Sequence, residues 1–197
     1  MALAIVAAFE VANAMEGGPF YDLHCLSESG GSAPTSAGMR LQTEVLTDKP
    51  FDTLVVGGAT EPAPSTPGLI AFLREGAKRH RRIAAVCTGA FVLAEAGLLD
   101  GRRATTHWMH ARELQAAHPR SRIEEDRIFI NDGLIWTSAA MTAGVDLGLA
   151  LIEADLGPEV AKAVARKLVV YPGAPADSHS SRPCSNSRPS PIASRRR

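Results

Sequence analysis

The chain has 197 residues, 45% of them hydrophobic, and its 21 Lys and Arg balance 21 Asp and Glu. This length allows one domain with a sizeable core, and the zero net charge argues against a strongly basic nucleic-acid-binding protein. Three separated cysteines exclude a disulfide framework and indicate a reducing, cytoplasmic compartment. The apolar stretch from Met1 to Phe9 is too short to span a bilayer, so we expect no membrane partner.

The neutral total combines two segments of opposite charge. Residues 172–197 contain 5 Pro, 7 Ser and 5 Arg and carry a net charge of +4, so residues 1–171 carry −4. A segment so poor in apolar side chains cannot offset the entropy that it would lose on folding. We therefore predict a folded domain over residues 1–171 and a disordered Pro-, Ser- and Arg-rich tail over residues 172–197.

Strands and helices are predicted to alternate along the first 171 residues. Hydrophobic periodicity and Gly or Pro stop signals define the elements of the first half. These are a helix over 2–15, a strand over 21–26, a loop over 30–38, a buried strand over 51–56 that runs into Gly57 and Gly58, and a helix over 67–80.

The second half continues the same alternation. Its predicted elements are a strand over 83–86, a helix over 88–96, a strand over 103–107, a helix over 109–117, a hairpin of strands 127–130 and 134–137 with an Asp-Gly turn at Asp132 and Gly133, and helices over 142–156 and 158–169. Alternating strands and helices predict an α/β fold with a mostly parallel sheet and helices on both faces.

Two strand ends carry candidate site residues, because sites in such sheets form at the carboxyl ends of strands. Cys87 lies between a strand and a helix, where the helix terminus lowers the pKa of a thiol. Its alternative role is that of a small buried core residue. The side-chain-free backbone at Gly57 and Gly58 is suited to approach a ligand closely.

His107 ends the next predicted strand and is a candidate acid/base partner of Cys87. The alternative is a partly buried histidine that packs beside Trp108. His110 is expected to be solvated, and its spacing from His107 lacks a third ligand for a metal. No Gly-rich nucleotide fingerprint occurs in the chain, so we predict neither a metal nor a cofactor.

The block from Ala84 to Trp108, with Cys87-Thr88-Gly89 near its start and His107-Trp108 at its end, resembles the ThiJ/PfpI superfamily of the class I glutamine amidotransferase-like group. More closely, it resembles the N-terminal sensor domain of AraC-type transcriptional regulators of the GlxA kind. Phe9 to Asn13 and Ile135 to Ala139 are further matches. The resemblance implies a flavodoxin-like fold.

The resemblance also implies roles for single residues. Cys87 would be the cysteine of a nucleophile elbow, and His107 the histidine near it. Gly58 and Thr88 would supply backbone N–H groups of an oxyanion-hole type. The isonitrile hydratases are an enzymatic branch of this superfamily with a similar Cys-Thr-Gly block.

The sequence departs from the family pattern at both ends. The family begins with a strand that carries an acid before the helix at Phe9, and the regulators continue into a helix-turn-helix module after a segment like that at Tyr171. Neither feature has a match, so we expect a domain truncated at both ends that lacks its first strand and binds no specific DNA sequence.

These observations predict the ligand-sensing and dimerisation domain of an AraC-type regulator, with an unknown small-molecule effector and a homodimeric assembly. The alternative is a cysteine-dependent hydratase or hydrolase that resembles isonitrile hydratase, although the carboxylate partner of the family is missing. A third possibility is a non-functional remnant.

Overall fold

The computed structural model describes residues 3–36 and 38–170. The helices are α1 (Leu3–Asn13), α2 (Pro67–Gly76), α3 (Gly89–Glu95), α4 (Ala111–Ala117), α5 (Met141–Leu156) and α6 (Pro158–Lys167). The strands are β1 (Leu26–Ser27), β2 (Gly31–Pro34), β3 (Arg40–Val45), β4 (Thr53–Gly57), β5 (Arg82–Val86), β6 (Arg103–Ala104), β7 (Arg122–Ile123), β8 (Phe129–Asp132) and β9 (Ile135–Ser138). A 3-10 turn over Trp108–His110 precedes α4.

The central sheet has the strand order β4-β5-β9-β8. Strands β4, β5 and β9 run parallel, and β8 joins β9 in an antiparallel hairpin. The alternating pattern of the sequence thus correctly predicts a mostly parallel α/β sheet. Within residues 3–36 and 38–170, no strand pairs with the outer edge of β4.

Helices cover both faces of this sheet, as predicted. All five residues of β5 are buried, and the four apolar ones alternate between two cores. Ala84 and Val86 belong to a core with side chains of α1, α5 and α6. Ile83 and Ala85 belong to a second core with side chains of α2, α3 and α4. A continuous apolar run is therefore needed in β5, because neither face of the strand meets solvent.

The predicted loop over residues 30–38 is wrong in part. Strand β2 lies there and pairs antiparallel with β3, with Gly31 opposite Thr43. Most residues of both strands are exposed or half-buried, and β2 has no hydrophobic alternation in its sequence. Strand β3 does have one, with Leu41, Thr43 and Val45 at alternate positions. Of the predicted strand over 21–26, only Leu26 pairs with another strand, as the first residue of β1. At the start of the predicted strand, the N–H of Tyr21 donates to the Asn13 side chain instead, at 2.8 Å.

The predicted strand over residues 103–107 is also shorter than expected. Its ladder to β7 ends at Ala104, and the N–H of Thr105 donates to Oγ1 of Thr137, at 2.8 Å. At Thr105 the backbone N–H thus bonds to a side chain and not to a carbonyl of a neighbouring strand. The strand ends there, and His107 lies beyond it.

The hairpin forms with a turn different from the predicted one. Asp132 still pairs with Ile135, which leaves Gly133 and Leu134 at the turn. Gly133 takes the positive φ of 67° that this tight turn requires. The predicted tail over 172–197 lies outside the described residues, and truncation at the two ends stays a prediction.

Candidate functional site

Cys87 forms a sharp turn between β5 and α3. Its φ of +57° is in the left-handed region, which non-glycine residues rarely adopt. Its N–H donates to the carbonyl of Ser138, the last residue of β9, at 2.9 Å. The strained turn and its place at the carboxyl edge of the sheet are features of a nucleophile elbow.

The thiol of Cys87 is enclosed by the protein. The residue is only 1% exposed. Burial raises the pKa of the thiol above its ordinary value, and hydrogen bonds from the backbone and hydroxyl of Thr88 oppose this rise without cancelling it. Cys87 is therefore mainly a protonated thiol at neutral pH, whereas a nucleophile requires the thiolate.

Gly58 follows β4 and lies against the start of α3. A Cβ at Gly58 would overlap the hydroxyl of Thr88 and the N–H of Gly89, and a Cβ at Gly89 would overlap the carbonyl of Val56. The Thr88 hydroxyl also donates to the carbonyl of Ala59, at 2.6 Å. The structure thus brings Gly58 and Thr88 together. Because Gly58 has no side chain, its backbone lies in close contact with the start of α3.

A cleft of about 250 Å³ opens beside this contact. Its wall consists of residues 57–59, 62–66, 91 and 92 together with Glu28, Leu69 and Thr88. The predicted residues Gly58 and Thr88 both contribute to it, while Cys87 lies behind them in the core. The cleft is mainly apolar and carries one carboxylate, which suits a small organic ligand.

His107 does not take the predicted position at a strand end. Its Nδ1 accepts a hydrogen bond from the N–H of Met109, at 3.3 Å, and so caps the 3-10 turn. Its ring stacks on Trp108 with the centroids 5.8 Å apart. Among the described residues, no hydrogen bond joins this ring to Cys87, so the arrangement resembles the packing alternative more than an acid/base pair. Burial, and then the neighbouring His110, lower the pKa of His107.

The structure corrects the expectation that His110 is solvated. Its side chain is 14% exposed and lies between two carboxylates, 3.0 Å from Glu113 and 3.7 Å from Glu61. Its ring also meets the edge of Phe91, which lines the cleft. The spacing of His110 and Glu113, three residues apart at the start of a helix, is a signal from which this hydrogen-bonded contact could have been predicted.

In the part of the chain that the structure describes, no three His, Cys, Asp or Glu side chains are grouped closely enough to hold a metal ion. None of the helices in that part has the length and apolar character needed to cross a bilayer.

Comparison with known proteins identifies relatives of two functional kinds. The model of the DJ-1/PfpI family matches residues 7–154. The HTH-type transcriptional regulator CdhR of Pseudomonas aeruginosa is 38% identical over 153 residues, which are 76% of this chain and 45% of that protein. The isonitrile hydratase of Pseudomonas putida is 33% identical over 168 residues, which are 82% of this chain and 72% of that enzyme.

A solved structure supports the same fold. The AraC family transcriptional regulator from Pseudomonas putida superposes with a TM-score of 0.77 at 24% identity, over 84% of this chain and 90% of that chain. The chain spans less than half the length of CdhR, so the activity of that whole regulator is not a property established for this chain.

Proposed function

The chain belongs to the DJ-1/PfpI family, and on that premise we propose that it is the ligand-sensing and dimerisation domain of an AraC-type transcriptional regulator. The HTH-type regulators among its relatives support this assignment. The observation that carries it is the enclosure of Cys87, which is 1% exposed, beside an open cleft. A site with an accessible cleft and an enclosed thiol is suited to binding a ligand rather than attacking it.

The effector would bind in the cleft between the loop after β4 and the start of α3. Gly58 and Ala59 line it with backbone, Phe91 and Leu69 with apolar surface, and Glu28 with a carboxylate. Contacts with this loop would reach α3, because the N–H of Ser65 donates to the Glu95 carboxylate at 2.8 Å. Ligand binding would thereby tie the loop to the central core.

A binding assay with a cleft-filling variant tests this proposal. Ala63 is exposed and lines the cleft, whereas Ala71 is exposed on α2 outside it. We expect a library of small metabolites, screened by thermal shift and calorimetry, to yield a compound that binds the wild type and Ala71→Trp but not Ala63→Trp. Binding that survives in Ala63→Trp, or no binding by any compound, would contradict the proposal.

The second candidate function is a cysteine-dependent hydratase. The left-handed elbow at Cys87 favours it, and so does the similarity to the isonitrile hydratase. The raised pKa of the thiol opposes it, as does the lack of a hydrogen bond between Cys87 and His107 in the described residues. Isonitrile hydration measured for the wild type and Cys87→Ala separates the two functions. We expect no turnover from either, and turnover that depends on Cys87 would establish the enzyme.

A further inference from the structure

Thr106 connects the elbow at Cys87 to a part of the chain 19 residues away in sequence. Its hydroxyl donates to the carbonyl of Cys87 at 2.9 Å, and the residue is fully buried. Loss of this hydrogen bond would leave a buried hydroxyl without a partner, which is costly. The contact is therefore a stable part of the elbow.

The left-handed backbone of Cys87 needs such support. The Cβ of a non-glycine residue is strained in this conformation, so surrounding contacts must hold it. The N–H of Cys87 is bound by Ser138, as described above. Its carbonyl accepts from Thr106 and, over a longer 3.3 Å, from the N–H of Ala90. Thr106 thus supplies the shorter of the two hydrogen bonds that hold the carbonyl of the strained residue.

Thr106 is itself held rigidly. The preceding residue, Thr105, donates its N–H to Thr137 in the central sheet and its hydroxyl to the carbonyl of Arg127, at 3.3 Å. Both Thr105 and Thr106 are fully buried. The support for the elbow therefore comes from a fixed frame and not from a loose loop.

We propose that Thr106 is a positioning residue of the elbow, whose hydrogen bond keeps Cys87 left-handed and its side chain enclosed. Thr106 acts through the backbone of Cys87 and does not contact a ligand itself. This inference goes beyond the proposed function, because it concerns the elbow of the free protein whether the site senses a ligand or reacts with it.

The preference for glycine at position 87 measures the left-handed conformation directly. With the bond in place, Cys87→Gly should have a folding equilibrium constant at least about fivefold above that of Cys87→Ala, because only glycine is unstrained there. The Thr106→Val variant should lose this glycine preference, since the backbone can relax. The Thr105→Val variant removes an adjacent buried hydroxyl and should keep the preference, as should Thr106→Ser. Urea unfolding of each Gly and Ala pair supplies the values.

A role of Thr106 in general packing would lower the stability of both members of each pair and leave their ratio unchanged. An unchanged ratio in Thr106→Val would therefore overturn the proposal. An equal loss of the glycine preference in Thr105→Val would overturn it too. If Thr106→Val does not fold, Thr106→Ala makes the same comparison with a smaller side chain. None of these measurements uses an effector, so failure of the ligand-sensing proposal does not affect them.

Alkylation of the thiol gives a second readout. With Cys25 and Cys184 replaced by Ser, iodoacetamide reports on Cys87 alone. Release of the elbow should expose the thiol and raise the alkylation rate of Thr106→Val about tenfold, while Thr105→Val and Thr106→Ser stay near the wild type. Equal rates in Thr105→Val and Thr106→Val would contradict a specific role of Thr106.

Discussion

Arg82 and Asp155 form a buried ion pair in which Nη2 of Arg82 lies 2.6 Å from Oδ2 of Asp155. The pair joins the first residue of β5 to the last turn of α5, at the end of the strand opposite Cys87. Both side chains are largely withdrawn from water, with 5% and 13% exposure. Arg82 also donates to Oγ1 of Thr53, and its cation faces the ring of Trp136 at 5.9 Å.

Loss of the carboxylate should leave the buried Arg82 cation with only a distant and largely exposed carboxylate, that of Asp52 at 3.5 Å. We expect Asp155→Ala to lower the free energy of unfolding by about 3 kcal/mol, because a buried charge that loses its close partner is costly. Arg81 pairs with the same carboxylate but is half exposed, so Arg81→Ala is the control and should cost at most about 1 kcal/mol. Urea denaturation measures both, and equal effects would show that burial does not decide the strength of this pair.

The contact between Gly58 and Thr88 should tolerate no side chain. Gly58→Ala would place a Cβ against backbone atoms of Thr88 and Gly89, which cannot move away like the end of a flexible side chain. We expect a loss of about 1–3 kcal/mol in the free energy of unfolding. In Gly68→Ala the new Cβ meets only the mobile carboxylate of Glu28, so this control should be neutral or slightly stabilised. A neutral Gly58→Ala would contradict the tight approach.

Cys87 should prefer glycine to alanine. In most positions alanine is the more stable residue, but at a φ of +57° the Cβ is strained. We therefore expect Cys87→Gly to be about 1 kcal/mol more stable than Cys87→Ala in chemical denaturation. The reverse order would mean that Cys87 is not left-handed in solution.

His107 should titrate at a lower pH than an ordinary histidine, whose pKa is 6.5, because burial and His110 lower its pKa. A histidine with a depressed folded-state pKa binds protons more readily when unfolded. Its contribution to stability is therefore complete above pH 6.5 and is lost as the pH falls through the folded value.

NMR titration of the ring protons measures this midpoint. We expect a value below 6.5 in the wild type and a rise in His110→Ala, since the electrostatic effect of His110 on His107 is removed. His118→Ala, at the end of α4, is the control and should leave the midpoint unchanged. A midpoint that His110→Ala does not raise would show that the two rings do not interact.

Much of the fold is predictable from local patterns. The apolar run from Ile83 to Val86 predicts a strand buried on both faces, and the structure confirms it. Strand β2 is not predictable in this way, because residues 31–34 show no alternation of polar and apolar side chains. In β3, by contrast, Leu41, Thr43 and Val45 do alternate with polar residues, so the missing prediction there left a usable signal unread. The place of Cys87 at a strand-to-helix turn was likewise predictable, since both flanking elements have clear sequence signals.

The surroundings of the candidate residues were not predictable in the same way. His107 follows what resembles a strand, but the bond from Thr105 to Thr137 ends the ladder early and turns the chain into the 3-10 turn. No feature of the sequence around His107 indicates that the N–H of Thr105 bonds to Thr137, which lies 32 residues further along the chain. The predicted acid/base pair consequently has no hydrogen bond between its members in the described residues.

The amino-acid sequence by itself determined that this chain builds an alternating α/β sheet and that Cys87 lies where a strand meets a helix, because hydrophobic periodicity and turn residues act over a few neighbours. Only the tertiary structure decided the state of that cysteine. Its enclosure and its raised pKa come from burial in the core, and its left-handed backbone forms hydrogen bonds with Thr106 and Ser138. Both of these partners are distant in sequence, and packing of the whole sheet brings them to the elbow.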